Sequence, residues 1–288
     1  MHTGGKEDAV KVGEEEKKLE AIRVEGLSKT FQVKRKEKGM RGSLKAILHP
    51  QVEKIRAVDN VTFSVREGEI LAFIGPNGAG KSTTIKMMTG ILYPDGGNVE
   101  VLGIDPVKRR RRLAYEIGTV FGQKEQLWTH LTPYDNLKFF GAIYDIPDRE
   151  SEKRIREIAE LFELGAFINT PVRSLSLGQR IRCEIAASLI HRPRVLFLDE
   201  PTIGLDPVVK ENIRTLIKRM NTELNTTIFL TSHDTGDIEK LCRRIIIINS
   251  GKVVLDDSME HLKYNVSDTP LENIIMEIYK SQGKGEAV

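Results

Sequence analysis

The chain has 288 residues, 40% of them hydrophobic and 30% charged, the composition of a folded globular protein rather than a disordered or fibrous one. Lys and Arg number 44 against 41 Asp and Glu, so bulk charge offers no argument for nucleic acid. Two cysteines, Cys183 and Cys242, are too few for a disulfide framework and fit a reducing compartment.

A membrane-spanning helix needs about 20 consecutive apolar residues. The densest apolar runs here, at 195–198 and 245–248, are strand-sized. If the protein acts at a membrane, another chain supplies the membrane part. Residues 1–19 mix charges without an apolar centre, which predicts a flexible tail and not a secretion signal. A strand is expected over 21–27. From 32 to 55 the pattern breaks into what reads as an insertion, partly loop and with room for a short helix. Between 34 and 45 it carries Lys34, Arg35, Lys36, Lys38, Arg41 and Lys45 against Glu37 alone. Strand patterning resumes over 57–65. The run at 70–74, ILAFI, is apolar throughout, as a buried parallel strand requires.

A helix is expected over 81–90, a short strand over 98–102 and another strand over 117–121. The middle then changes character. Thr132, Pro133 and Asp135 form a helix start, with Leu137, Phe140 and Tyr144 following at helical spacing. A second helix over 149–163 puts Ile155, Ile158 and Phe162 on one face. Strands are expected again at 195–198, 227–230 and 245–248, with helices between them. Thr269, Pro270 and Glu272 open a last helix whose Leu271, Ile274, Ile275 and Ile278 share a side.

The chemistry starts after the apolar strand at 70–74. Gly75, Pro76, Asn77, Gly78, Ala79, Gly80, Lys81 and Ser82 fit G-x-x-x-x-G-K-[ST] in full, with a strand before and a helix after, and Thr83 continues the helix. Such a loop closes backbone N–H groups around phosphate oxygens, and the helix N-terminus adds positive charge. Lys81 is placed to reach the β- and γ-phosphates, and the Ser82 hydroxyl to ligate Mg²⁺. The apolar strand at 195–198 ends in Asp199 and Glu200. The first acid stands where a P-loop enzyme needs a Mg²⁺ partner. The second is placed to take a proton from attacking water.

Leu175, Ser176, Leu177, Gly178 and Gln179 precede an amphipathic helix and closely resemble the LSGGQ signature of ATP-binding cassette (ABC) ATPases. The resemblance covers about residues 21–262. Other elements of that family follow in order: Gln123 matches its glutamine loop, 201–206 the segment ending in Asp206, and His233 the switch histidine. Phe31 matches the aromatic that stacks on adenine. Two positions depart from the family pattern. Leu177 replaces the usual first glycine of the signature pair, and Phe31 replaces the commoner tyrosine, whose π-face it retains.

The resemblance implies an α/β fold: a P-loop NTPase (RecA-like) core, an N-terminal antiparallel β subdomain and an inserted α-helical subdomain. It divides the chain into the tail, an ATPase domain at 20–265 with the basic insertion at 32–55 and the helical subdomain at 124–193, and a C-terminal helix and tail at 266–288. It implies that ATP with Mg²⁺ is held by the phosphate loop and Phe31, with Ser82, Gln123 and Asp199 around the metal. Glu200 is then the general base and His233 orients the water. Ser176, Gly178 and Gln179 contact the nucleotide of a second copy, or of a homologous cassette, placed head to tail. Partners are separate transmembrane permease subunits, with no nucleic acid expected, and the place is the cytoplasmic face of the cell membrane. The stretch from Gly118 to Gly141 resembles cassettes of ABC-2-type exporters. The alternative is a soluble ABC ATPase working on a non-transport assembly. A P-loop kinase or GTPase is disfavoured by the signature and by the absence of Asn-Lys-x-Asp.

The basic cluster from 34 to 45 is a candidate for anionic lipid contact. The run Lys108, Arg109, Arg110, Arg111 and Arg112 reads first as a solvated helix face, with anionic lipid headgroups as the alternative. Trp128 reads first as core packing, with permease contact as the alternative. Cys183 reads as core packing, and the C-terminal helix as cover for its own domain ahead of a regulatory or dimer contact. His49, His130 and His191 form no ligand-spaced cluster.

Overall fold

The computed structural model describes residues 20–34, 52–122, 125–265 and 269–283. The expected N-terminal tail, most of the basic cluster between 34 and 45, and Gln123 lie outside the described residues. Along the chain come β1 (Glu20–Lys34), β2 (Val52–Arg66), β3 (Ile70–Ile74), α1 (Lys81–Met88), β4 (Gly96–Val101), α2 (Arg110–Ala114) and β5 (Ile117–Phe121). Then follow α3 (Pro133–Ile143), α4 (Asp148–Leu161) and α5 (Leu177–Ser188) without a strand between them. The remainder alternates: β6 (Val195–Asp199), α6 (Pro207–Leu224), β7 (Thr227–Thr231), α7 (Thr235–Leu241), β8 (Arg244–Asn249), β9 (Lys252–Ser258), α8 (Met259–Asn265) and α9 (Leu271–Gly283).

One sheet is antiparallel, in the order β2-β1-β4. The other runs β5-β6-β7-β3-β8-β9 and is parallel apart from β9. Period-two alternation sends the two faces of each central strand into different cores. Leu71 and Phe73, Phe197, Phe229, Ile246 and Ile248 pack with α1 and the antiparallel sheet. Ala72 and Ile74, Leu196 and Leu198, Ile228 and Leu230, Ile245 and Ile247 pack on the opposite side with α5, α6 and α7. Both faces are therefore covered, which is why these strands read as continuous apolar runs.

The insertion expected at 32–55 is strand at both ends. Phe31 pairs with Ile55, Gln32 with Lys54, Val33 with Glu53 and Lys34 with Val52. β4 pairs with β1 only as far as Ser28, so this outer part is a two-stranded ribbon. Phe31 and Ile55 stand directly opposite each other, a cross-strand aromatic and β-branched pair of the kind that holds such ribbons. Trp128 also departs from expectation: it is not core. It lies on the surface edge-on to Phe139, with ring centroids 3.9 Å apart. Cys183 is buried, and Lys108 through Arg112 are exposed. Leu271, Ile274 and Ile275 of α9 join the core cluster that contains Ile238 and Leu241 of α7, so α9 covers its own chain.

Candidate functional site

β6, β7 and β3 are neighbours in the parallel sheet, and their C-terminal ends bring the site together. An open α/β sheet binds ligands at that edge. The phosphate loop leaves β3, the acid pair ends β6, and His233 follows β7. The loop from Gly75 to Gly80 turns tightly back on the body. A side chain on Gly80, whose φ is +107°, would meet the Ala57 carbonyl oxygen at 2.4 Å. Asn77 and Gly78 form the exposed tip, while Ala79 is buried. Ser82 and Thr83 are half-buried in the first turn of α1, beside Lys81.

Lys81 is buried, and its ammonium donates to the carbonyls of Gly75 at 2.6 Å and Pro76 at 3.3 Å. Burial lowers its pKa, and the charges of Glu200 and Asp199 pull the other way. Ser82 Oγ donates to Asp199 Oδ2 at 2.9 Å, and Thr231 Oγ1 donates to Asp199 Oδ1 at 2.6 Å. His233 Nε2 lies 2.8 Å from Glu200 Oε1 and 3.2 Å from Lys81 Nζ. One ring nitrogen cannot donate to a carboxylate and accept from an ammonium at once. The shorter contact assigns the proton to Nε2, donating to Glu200.

Glu200 itself sits at φ +57°, the left-handed region that a residue with a side chain enters only under constraint. Its N–H donates to the Thr231 carbonyl at 3.1 Å and to Thr231 Oγ1 at 3.0 Å. Thr231 thus touches both acids of the pair. Sequence reading did not single it out, because a threonine ending a buried strand carries no signal of its own.

The family model described as ABC transporter matches residues 58–203, about half of the chain. The chain belongs to the ABC transporter family. The cassette is 33% identical over 222 residues to the ABC transporter ATP-binding protein NatA of Bacillus subtilis, a match spanning 77% of this chain and 90% of NatA. It is 38% identical over 197 residues to the linearmycin resistance ATP-binding protein LnrL of the same species, spanning 68% of this chain and 63% of LnrL. A solved dimeric ATP-binding cassette in a post-hydrolysis state, bound to ADP and phosphate, superposes with a TM-score of 0.68 at 28% identity. That likeness covers 83% of this chain and 98% of the other.

The cassette's remaining expected site residues lie apart from this cluster. Ser176 caps α5: its hydroxyl accepts from the Gln179 N–H at 3.3 Å, and Gln179 Oε1 accepts from the Ser176 N–H at 3.0 Å. Gly178 is packed so closely on α6 that a Cβ would meet Val209 Cγ1 at 2.5 Å. Asp206 caps α6, accepting from the N–H groups of Val208 and Val209. Leu177 is 48% exposed beside the loop that carries Gly204. Phe31 stands 37% exposed on the ribbon, with the Lys29 ammonium 5.9 Å from its ring centroid.

Proposed function

We propose that this cassette is the nucleotide-binding subunit of an exporter, hydrolysing Mg²⁺-ATP in a head-to-tail dimer to drive a separate membrane permease. The observation that carries the reading is the cluster of Lys81, Ser82, Asp199, Glu200 and His233 at one sheet edge, on a chain of the ABC family. The name of the resistance relative LnrL favours export. Trp128 and Phe139, exposed together on the helical side, offer an apolar place for a permease segment. No helix among the described residues is long and apolar enough to cross a membrane, so the reading assigns that role to another chain.

The residues take these parts. Phe31 offers its ring face to adenine. Lys81 exchanges its carbonyl partners for β- and γ-phosphate oxygens, and the loop N–H groups hold the rest of the chain of phosphates. Ser82 Oγ and Asp199 Oδ2 are hard oxygen donors 2.9 Å apart, a pair that suits Mg²⁺, with Gln123 as the further expected ligand. When bound, the ion neutralises charge on the phosphate oxygens. Water attacks the γ-phosphorus while its proton passes to Glu200. The bond from the γ-phosphorus to the bridging oxygen breaks, and ADP leaves with its charge against Lys81. His233 Nε2–H turns from Glu200 to a γ-phosphate oxygen.

The signature residues Ser176, Gly178 and Gln179 serve the nucleotide of the second copy, and the loop at Asp206 lies at the same face. Glu200→Gln tests the chemistry. Turnover should fall about a thousandfold with ATP binding kept, and an ATP-bound dimer should appear in gel filtration. Near-normal turnover overturns the assignment of Glu200 as base. Export is tested by loading inside-out vesicles that carry the permease and following ATP-dependent uptake.

A further inference from the structure

Asp237, outside the phosphate loop and the acid pair, is wholly buried at the start of α7. Its Oδ2 accepts from Thr202 Oγ1 at 2.5 Å and from Ser232 Oγ at 2.7 Å, and its Oδ1 accepts from Arg214 Nε at 2.7 Å. Thr202 lies two residues after Glu200, and Ser232 directly precedes His233. One carboxylate therefore ties the loop that carries the acid to the loop that carries the histidine. Thr202 and Ser232 are each only 3% exposed, so water does not compete for these bonds.

We propose that Asp237 is the positioning residue that holds Glu200 and His233 at their working separation. An ionised carboxylate only accepts hydrogen bonds, so both hydroxyl protons must point at it, which fixes the direction as well as the distance of each loop. The Ser232 oxygen is then free to accept from the Asp234 N–H, as it does at 3.0 Å. Arg214 completes the unit: its other nitrogens reach Asp234 at 3.3 Å and Glu211 at 3.2 Å, so neither buried charge is left unpaired.

The left-handed backbone of Glu200 explains why such a clamp is needed. Strained conformations persist where the surroundings over-determine them. Glu200 is held upstream by Thr231 and downstream by Thr202 through Asp237. Releasing the downstream hold lets the loop relax and moves the carboxylate off the histidine. Misplacement by about 1 Å costs up to a hundredfold in rate.

The inference rests on Glu200 and His233 being the hydrolytic pair, a reading tested by Glu200→Gln alone. Thr202→Val and Ser232→Ala each remove one donor and leave the Asp237–Arg214 pair in place. Single-turnover hydrolysis, ATP affinity and thermal unfolding are measured on the full chain. Each variant should bind ATP within about twofold of wild type yet hydrolyse it between ten- and a hundredfold more slowly. Thr202→Ser, which keeps the hydroxyl, should restore the rate. In the Glu200→Gln background, Thr202→Val should change the residual rate less than twofold. Asp237→Asn should show the same kinetic loss if it folds, and the hydroxyl variants decide the matter if it does not. An undiminished rate in Thr202→Val, an equal further loss in the Glu200→Gln background, or failure of Thr202→Ser to rescue overturns the proposal.

Discussion

The two parts of the cassette that bear family motifs are built on opposite plans. At the phosphate loop, polar side chains from three strand ends face one another across gaps of 2.6 to 3.2 Å, and the lysine is buried among them. At the signature, the polar groups are turned on their own helix: Ser176 and Gln179 satisfy each other, and Leu177 beside them is an exposed apolar side chain. The first half gathers its charges where the proposed function has a phosphate chain bound and cut. The second presents an exposed Leu177, with Ile203 and Val208 exposed nearby in sequence on the segment it packs against. Such a surface suits another protein face better than solvent, which is what the proposed head-to-tail partner would supply.

The contrast breaks most visibly in nucleotide binding by the single chain. Lys81→Ala removes the buried cation of the phosphate half and should weaken ATP binding about a hundredfold, read by calorimetry. Ser176→Arg leaves that half intact and should leave monomer binding unchanged while stopping turnover. A Ser176→Arg chain that loses ATP binding as severely as Lys81→Ala would place the signature at its own nucleotide and refute the division. A smaller effect sharpens it. Leu177→Asp, in a Glu200→Gln background, should weaken ATP-driven dimerisation about tenfold in sedimentation, since burying a leucine contributes roughly 1.5 to 3 kcal/mol. ATP affinity of the monomer should not move. Unaltered dimerisation would leave the exposed Leu177 without a part in assembly.

How far the sequence reveals this follows the same division. The phosphate loop is contiguous, its flanking strand and helix are plain, and β5 falls at 117–121 as the pattern predicts. The acid pair is legible because it ends an apolar strand. The clamp around Asp237 is not, since its four members are scattered from Thr202 to Asp237 and meet only in the folded chain. The one local hint is a carboxylate next to Ile238 on the inward face of α7. Trp128 escapes for a different reason: it lies in an irregular segment before α3, where no periodicity assigns it a face. The ribbon extends beyond the expected strand because Phe31 and Ile55 complete each other only across the pair, not along either strand.

A further expected effect concerns stability and belongs to the helix that starts at the signature. In its second half lies the buried Glu184 and just beyond its end the half-buried His191, two titratable groups with opposite tendencies. Burial pushes the Glu184 carboxyl up from 4.5 to about 7, against the Gln126 N–H that it accepts. Burial pushes the His191 imidazole down from 6.5 to about 4, where it stacks on Tyr144 at 3.8 Å and bonds the Ile117 carbonyl at 2.9 Å. For Glu184 the unfolded chain ionises first as pH rises, so stability is lost between about pH 4.5 and 7. For His191 the unfolded chain takes the proton first as pH falls, so stability is lost between about pH 6.5 and 4. Each contributes up to about 3 kcal/mol across its window. Their slopes oppose each other over the shared range and nearly cancel there. Substituting one should unmask the other. Relative to wild type, Glu184→Gln should gain stability steadily from pH 4.5 to 7 in urea unfolding, and His191→Gln should gain it steadily as pH falls from 6.5 to 4. Parallel, pH-independent offsets in both variants would mean that neither group changes its charge on unfolding in the way its burial dictates. The phosphate half supplies the control, because the same unfolding series on Ser82→Ala should show no new slope in either window.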